Sequence, residues 1–208
     1  MRNISIRTLF FLVGLVTLSL GVSLTIKADL GAGAWDALNA GLTNAIGLTI
    51  GTWVMIIGAL LIVVNALLGR EFPDVFAVVT VSVLGPLIDF WLLKVLVGWS
   101  PSILVEQSLA LVGGIVILAL GVAMYIQPKL PLNPVDNFMV AIQKRFSISI
   151  SKAKTITESL AFVFALLIGG PIGVGTVVIL ILVGPTINFF EPKTKTMLNR
   201  MLGEEKAG

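Results

Sequence analysis

The chain has 208 residues, of which 57% are hydrophobic and 12% are charged, with a net charge of +3 and a mean hydropathy of +1.05. Because soluble domains carry about a quarter charged residues, this composition indicates an integral membrane protein, and the modest charge gives no case for nucleic-acid binding. The chain has no Cys and no His, which excludes disulfides, thiol chemistry, Cys/His zinc sites, imidazole proton relays and a Ser-His-Asp triad.

The first apolar segment follows Arg2 and Arg7 and runs without a charge from Thr8 to Ile26. A signal peptide is the competing interpretation. The run is longer than the usual apolar region of a signal peptide, and the residues after it form a poor cleavage site. We therefore expect a helix that is retained.

Six segments are long and apolar enough to be transmembrane helices, which need about 20 mostly apolar residues. They lack the alternation of polar and apolar residues that is typical of barrel strands. The predicted fold class is an all-α membrane protein with six transmembrane helices. The predicted spans are about 8–26, 51–69, 75–97, 107–126, 153–169 and 172–190.

An internal repeat appears when residue n is aligned with residue n + 100. The alignment keeps its register over about 90 residues and predicts a first repeat at 1–100 and a second at 101–208. After one deletion the Gly-Pro pairs of the third and sixth spans also align. The matched pairs include Gly14 with Gly114, Gly21 with Gly121, Asp36 with Asp136, Gly85-Pro86 with Gly184-Pro185, and Asp89 with Asn188.

Each repeat is predicted to contain a short helix, at 34–46 and at 134–146. In the second copy, Asn133 is a favourable N-cap, Pro134 suits the first helical position and Asp136 lies in the first turn. Thirteen residues at 1.5 Å each span about 20 Å, which is less than the roughly 30 Å of hydrocarbon. The short helices are therefore expected to lie at the interface or to re-enter the membrane.

Three spans per repeat place the two repeats in opposite orientations, as in many secondary transporters. If the N-terminus is cytoplasmic, the region around the second short helix and the basic tail of the second repeat are cytoplasmic too. This agrees with the positive-inside rule, although the loop 70–74 has one basic residue only. The basic residues concerned are Lys129, Lys144, Arg145, Lys152, Lys154, Lys193, Lys195, Arg200 and Lys206.

The segments GVSLTIKADLGAGAWDAL, GLTIGTW and GPLIDF together resemble the YczE/YyaS/YitT-like group of bacterial membrane proteins. The resemblance covers most of the chain and is clearest over residues 10–95. It implies a bacterial cytoplasmic-membrane protein with several spans. It implies no catalytic residue and no substrate.

Polar residues near the predicted repeat axis are the candidates for a substrate or ion site. Asp36 and Asp136 could form a paired site, but an acidic residue in the first helical turn is also favoured by the helix dipole. An ionisable group in a span, such as Asp89, usually faces a cavity or a partner, and Lys94 could be that partner. The candidate set is Asp36, Asp136, Asp89 and Asn188, with Trp35 and Asn133 nearby.

Three further features have a structural and a functional interpretation. The pairs Gly85-Pro86 and Gly184-Pro185 predict kinks, which could serve packing or gating. Glu158, in the fifth span, could pair with Lys154 or couple transport to protons. The glycines seven residues apart predict close helix packing.

The sequence favours a small secondary transporter or permease of the bacterial cytoplasmic membrane, with an unknown small-molecule substrate. The alternative is a non-transporting membrane factor that supports or regulates a partner protein or a biosynthetic complex. A membrane enzyme ranks third, since no pair of carboxylates has a suitable spacing, and the chain is predicted not to be an enzyme. We expect contact with the lipid bilayer, a possible homodimer, no nucleic acid, no metal and no cofactor.

Overall fold

The computed structural model describes residues 2–204, without the side chain of Arg2. Over this range all regular secondary structure is helical. This confirms the predicted all-α class. Lys206 of the predicted basic tail lies outside the described residues. The helices are α1 (Arg2–Lys27), α2 (Ala34–Ile46), α3 (Ile50–Gly69), α4 (Ala77–Phe90, continued by a π-helical turn Trp91–Val95), α5 (Leu104–Tyr125), α6 (Pro134–Phe146), α7 (Ile150–Ile168) and α8 (Val174–Leu202).

Five helices of the described chain are long and apolar enough to cross a membrane: α1, α3, α4 with its π-helical turn, α5 and α8. The fifth predicted span, 153–169, lies on α7, which is not one of these five helices, because Lys152, Lys154 and Glu158 interrupt its apolar pattern. The helices α2 and α6 have 13 residues each and the same bounds as the two predicted short helices.

The centre of the bundle is the contact between α1 and α5. A Cβ atom on Gly14 would lie 2.6 Å from the backbone nitrogen of Tyr125, and Cβ atoms on Gly21 and Gly121 would overlap the backbones of Leu118 and Leu18. The two backbones therefore touch at positions where only glycine fits. Small residues at such a crossing let dispersion forces hold helices together in lipid.

Each short helix packs mainly on a long helix of the other half of the chain. Helix α2 packs on α7, and α6 packs on α3. In the first of these contacts, Gly41 lies so close to Gly170 that a Cβ atom would be 2.9 Å from its Cα atom. Both short helices are thus held between the halves of the chain.

The second and third long helices of each half, which are α3 and α4 in the first and α7 and α8 in the second, pack differently. Helices α3 and α4 pack directly on each other, and a Cβ atom on Gly85 would lie 2.5 Å from the carbonyl oxygen of Gly51. In the second half, α7 packs on α2 and α6, whereas α8 packs on α5. A groove of about 690 Å³, called the α7–α8 groove below, separates these two helices.

Helix α8 continues twelve residues beyond the span predicted to end at 190. The extension contains charged residues, which lowered its hydropathy, but it keeps an apolar face. Leu198 and Leu202 are buried against Phe10 of α1 and Met124 of α5. The residues Lys193, Lys195 and Arg200, expected in a tail, therefore belong to a packed helix.

We predict that Gly121→Ala lowers the free energy of unfolding by about 1–3 kcal/mol, because its methyl group must displace the backbone of α1 at Leu18. The measurement is thermal unfolding of the purified protein in detergent. Gly113→Ala on the same helix is the matched control, since a Cβ atom there has no neighbour within 4 Å. Equal stability of the two variants would contradict the close contact.

Candidate functional site

Two loops hold the N-terminus of α2 in place. The N–H of Ala32 donates to the carbonyl of Pro171 (3.0 Å), and the N–H of Gly175 donates to the carbonyl of Leu30 (2.6 Å). Gly31 has φ = +103°, and a Cβ atom there would overlap the backbone of Gly173, so glycine is required. The start of α2 is therefore fixed against the start of α8.

Asp36 lies in the first turn of α2 and lines a small cavity of about 100 Å³. Trp35, Asn39 and Asn133 line the same cavity, which we call the Asp36 cavity. Asp36 is partly buried, and within residues 2–204 its carboxylate accepts no hydrogen bond and forms no ion pair. Of the six residues predicted for the site, the structure therefore brings Asp36, Trp35 and Asn133 to one cavity.

Two further polar atoms, in residues that line this cavity, are buried without a hydrogen-bond partner among residues 2–204. They are the indole Nε1 of Trp35 and the amide Oδ1 of Asn39, a residue that is 5% exposed. Since buried polar groups are nearly always hydrogen-bonded, each such atom needs an explanation. The side chain of Asn133, in contrast, accepts a hydrogen bond from the N–H of Val135 (3.3 Å) and caps α6.

Asp136 matches Asp36 in the sequence alignment but has a different environment. The hydroxyl of Tyr125 donates a hydrogen bond to Asp136 Oδ2. The residue that corresponds to Tyr125 is Thr25, whose hydroxyl donates within its own helix to the carbonyl of Val22 (2.8 Å). Asp136 is thus satisfied by a partner that Asp36 lacks.

The charges around α2 and α6 affect the protonation of both aspartates, which lie outside the long helices. Burial, and to a smaller extent the nearby Glu158 carboxylate, raises the pKa of Asp36 from 3.8 to about 7. Burial also raises the pKa of Asp136, against the opposing effects of the Tyr125 hydrogen bond and the positive charge of Lys154. Asp36 can therefore exchange a proton near neutral pH.

The α7–α8 groove reaches the first residue of α2, Ala34, which does not line the Asp36 cavity. Its α7 wall carries the hydroxyl groups of Ser151, Thr155 and Ser159 together with Lys154 and Glu158. Its α8 wall is mainly apolar, with Val177, Ile179, Leu180 and Val183. The N-terminal turn of α2 thus borders both the Asp36 cavity and an amphipathic groove.

Asp89 lies at the α3–α4 contact and not at the Asp36 cavity. It accepts hydrogen bonds from the hydroxyl of Thr49 (2.5 Å) and from the N–H of Gly51 (2.8 Å) at the start of α3. The expected partner Lys94 is exposed and belongs to neither ion pair of the described residues, which are Arg7–Glu204 and Lys144–Glu71. In this structure Asp89 joins α3 to α4 at a helix N-terminus.

Asn188, which matches Asp89, is exposed on α8. Gly184 has no neighbour within 4 Å of a Cβ position, whereas its match Gly85 is in tight contact with α3. Both prolines of the predicted kinks, Pro86 and Pro185, lie inside helices. The second half therefore lacks the contact that closes the first half.

The sequence analysis missed Asn39 and Tyr125. Asn39 could have been found, because it lies three residues after Asp36 and so on the same helix face. Tyr125 is the only tyrosine of the chain, but its contact with Asp136 requires knowledge of how α5 ends and α6 begins.

Together, the helices and the buried polar groups define a multi-pass α-helical membrane protein with a small cavity that contains Asp36 and is lined by residues of both halves. The chain matches a family of unknown function, DUF6198, over residues 5–192, and it belongs to this family.

Relatives of the chain include two proteins of Bacillus subtilis. It is 34% identical to the uncharacterised protein YyaS over 88% of this chain and 92% of YyaS. It is 32% identical to the uncharacterised membrane protein YczE over 99% of this chain and 95% of YczE. A protein of Haemophilus influenzae is 25% identical over 86% of this chain and 80% of its own length. No solved structure matches the chain.

We predict that Asp89→Asn lowers the free energy of unfolding by about 1–3 kcal/mol, because Gly51 and Thr49 lose a charged acceptor. Thermal unfolding of the purified variant measures this change. The matched control is Asn188→Ala, which alters the exposed counterpart on α8 and should leave stability unchanged. A stable Asp89→Asn variant would show that the carboxylate does not hold α3 to α4.

Proposed function

We propose that the protein is a small secondary transporter or permease of the bacterial cytoplasmic membrane, with both termini in the cytoplasm. The observation that carries the proposal is the carboxylate of Asp36. It is partly buried between the two halves of the chain, beside a cavity, with no partner among the described residues. A buried charge without a partner is costly, and in membrane proteins such groups commonly mark substrate or ion pathways.

The proposed architecture has six spans in two inverted repeats. It adds α7, the fifth span in chain order, to the five apolar helices. Its support is the reciprocal packing of α2 on α7 and of α6 on α3. Further support comes from the helix starts, since Ala34 and Pro134, and likewise Ile50 and Ile150, are 100 residues apart. Short helices that end between repeats are a common way to build transporter sites.

The different packing of the two halves supports alternating access. The α3–α4 contact is closed by Asp89, Gly51 and Gly85, whereas the α7–α8 groove is open. In an inverted repeat, closing the groove and opening the α3–α4 contact would exchange the two states. The side of Asp36 that faces solvent would then change from one membrane face to the other.

The proposal includes no catalytic step and no cofactor. The alternative, a non-transporting membrane factor, would use the same fold to bind a partner protein. The two hypotheses differ in whether a solute crosses the membrane in a manner that depends on Asp36. A homodimer is compatible with both.

The inverted topology predicts opposite locations for the ends of the two short helices. Ile46 and Phe146 are the last residues of α2 and α6 and are 66% and 62% exposed. We expect a membrane-impermeant thiol reagent to label Ile46→Cys in intact cells, and Phe146→Cys only after permeabilisation. The chain has no natural cysteine, so the unmodified protein is the blank. The same labelling of both variants would contradict the inverted repeat.

The transport hypothesis is tested by the effect of Asp36→Asn on solute retention. Liposomes containing the purified protein are loaded with a mixture of amines, amino acids, carboxylates and sugars, and the retained solutes are followed by mass spectrometry. At least one solute should leave wild-type liposomes about tenfold faster than Asp36→Asn liposomes, since a transition-state contact with a charged group contributes about 1.5–3 kcal/mol.

Asp29→Asn is the matched control for this experiment. Asp29 is exposed seven residues before Asp36 and has φ = +56°, a conformation that Asn tolerates well. The control should retain solutes as the wild type does. Identical retention by wild-type, Asp36→Asn and protein-free liposomes would contradict transport and favour the non-transporting factor.

A further inference from the structure

We propose that the Asp36 cavity binds a small protonated amine, whose ammonium N–H groups donate to the carboxylate of Asp36 and to Oδ1 of Asn39. The inference rests on the proposed function, since it names the substrate class of that site. It starts from polar atoms that the described chain leaves without partners. An ammonium group supplies three donors and a positive charge, which match the carboxylate of Asp36 and Oδ1 of Asn39.

The charges near the cavity favour a cation. Asp36 on α2, Asp136 on α6 and Glu158 on α7 are carboxylates, and Lys154 on α7 is an ammonium group that interacts with Asp136 and Glu158. The charged group that acts on Asp36 is the Glu158 carboxylate. The hydroxyl of Tyr125 is already used by Asp136. Among the described residues, Asp36 is the one charged residue of a cavity lining that is otherwise mainly apolar, and its carboxylate would repel an anion.

The arrangement of donors and acceptors favours an amine over a metal cation. Metal cations such as Na⁺ and Ca²⁺ need several oxygen ligands around them, commonly six or more for Ca²⁺. The described residues contain no group of three or more His, Cys, Asp or Glu side chains that could hold a metal ion. Trp35 lines the cavity, and its indole N–H is a donor without a partner among the described residues, which cannot coordinate a metal.

The same indole N–H favours an amine that also carries an acceptor. A hydroxyl group on the ligand could accept from Trp35 Nε1 while the ammonium group contacts Asp36 and Asn39. The cavity volume of about 100 Å³ equals roughly three water molecules at about 30 Å³ each. Methylammonium and ethanolamine are therefore suitable probes, and larger amines are not expected to fit without rearrangement.

The experiment measures the thermal unfolding of the purified protein in lipid nanodiscs with increasing concentrations of probe. A ligand that binds the folded state alone raises the unfolding temperature in a saturable way. We expect this rise with methylammonium and with ethanolamine. Na⁺ and tetramethylammonium at the same ionic strength should have no such effect, because neither carries an N–H donor.

Three variants locate the binding at the cavity. Asp36→Asn should weaken binding of both amines at least about tenfold, because a hydrogen bond to a charged group is lost. Asn39→Leu should abolish the shift without lowering the unfolding temperature of the free protein, because it removes an unpaired buried oxygen. Trp35→Phe should weaken binding of ethanolamine more than that of methylammonium.

Asn65→Leu is the matched control for Asn39→Leu. Asn65 also has an unpaired Oδ1, but its Nδ2 donates to the carbonyl of Pro134 (2.9 Å) and it lies outside the Asp36 cavity. This variant can lower the starting stability, and the amine-induced rise should remain. A rise that is lost equally in both asparagine variants would overturn the assignment to the cavity.

The outcomes for amine binding and for transport are separable. Saturable binding without solute loss from liposomes would support the amine site and contradict the transporter. Transport of another solute without any amine-dependent rise would overturn the amine site and leave the transporter in place. An equal rise with Na⁺ or tetramethylammonium would also overturn the amine site.

Discussion

The contact between α1 and α5 determines where the other helices can lie. Lipid offers no hydrophobic driving force between two apolar helices, so their association depends on close packing. Glycines at 14, 21, 114 and 121 remove the side chains from the crossing and let the two backbones touch. Any larger residue at these positions would separate the halves of the chain.

This contact also affects the polar site. Gly14 leaves room for the backbone of Tyr125 at the end of α5, and Tyr125 is fully buried there with its ring 6.1 Å from that of Phe11. From this position its hydroxyl reaches Asp136 on α6. A glycine on the first helix is thus connected to the protonation of a residue more than 120 positions away in the sequence.

The differences between matched positions are more informative about function than the matches. Asp36 and Asp136 occupy the same place in two short helices, but only Asp136 has a buried hydroxyl beside it. Asp89 and Asn188 match in the same way, but only Asp89 bonds the start of the preceding helix. The matched sequences therefore build similar helices in both halves. Single differences between them decide whether a polar side chain has a hydrogen-bond partner or is left unpaired.

The helices could be predicted well from the sequence because their signals are local. Hydropathy located the long helices, and the cap Asn133-Pro134 marked the start of α6. Helix α8 was underestimated because charged residues end a hydropathy window without ending a helix whose other face is buried at Leu198 and Leu202. Hydropathy detects transfer to lipid, and it does not detect packing on a neighbouring helix.

The polar site was predicted only in part because its contacts are non-local. The motif around Asp36 and Trp35 was visible, and Asn133 could be paired with them through the repeat. The hydrogen bond from Thr49 to Asp89 joins residues 40 positions apart. Nothing in the sequence favours this partner over an ion pair with the nearer Lys94. The α7–α8 groove is open because α7 packs on α2 and α6 while α8 packs on α5. Hydropathy does not report which helices pack together.

The ion pair between Arg7 and Glu204, at 3.3 Å, brings the two ends of the described chain side by side. A short flexible linker could therefore join them on the surface without crossing the bundle. The loop between α3 and α4 is exposed at Phe72, which is 96% accessible, and offers a place for new termini. A circularly permuted chain opened there would keep every helix contact described above while changing the order in which the helices leave the ribosome.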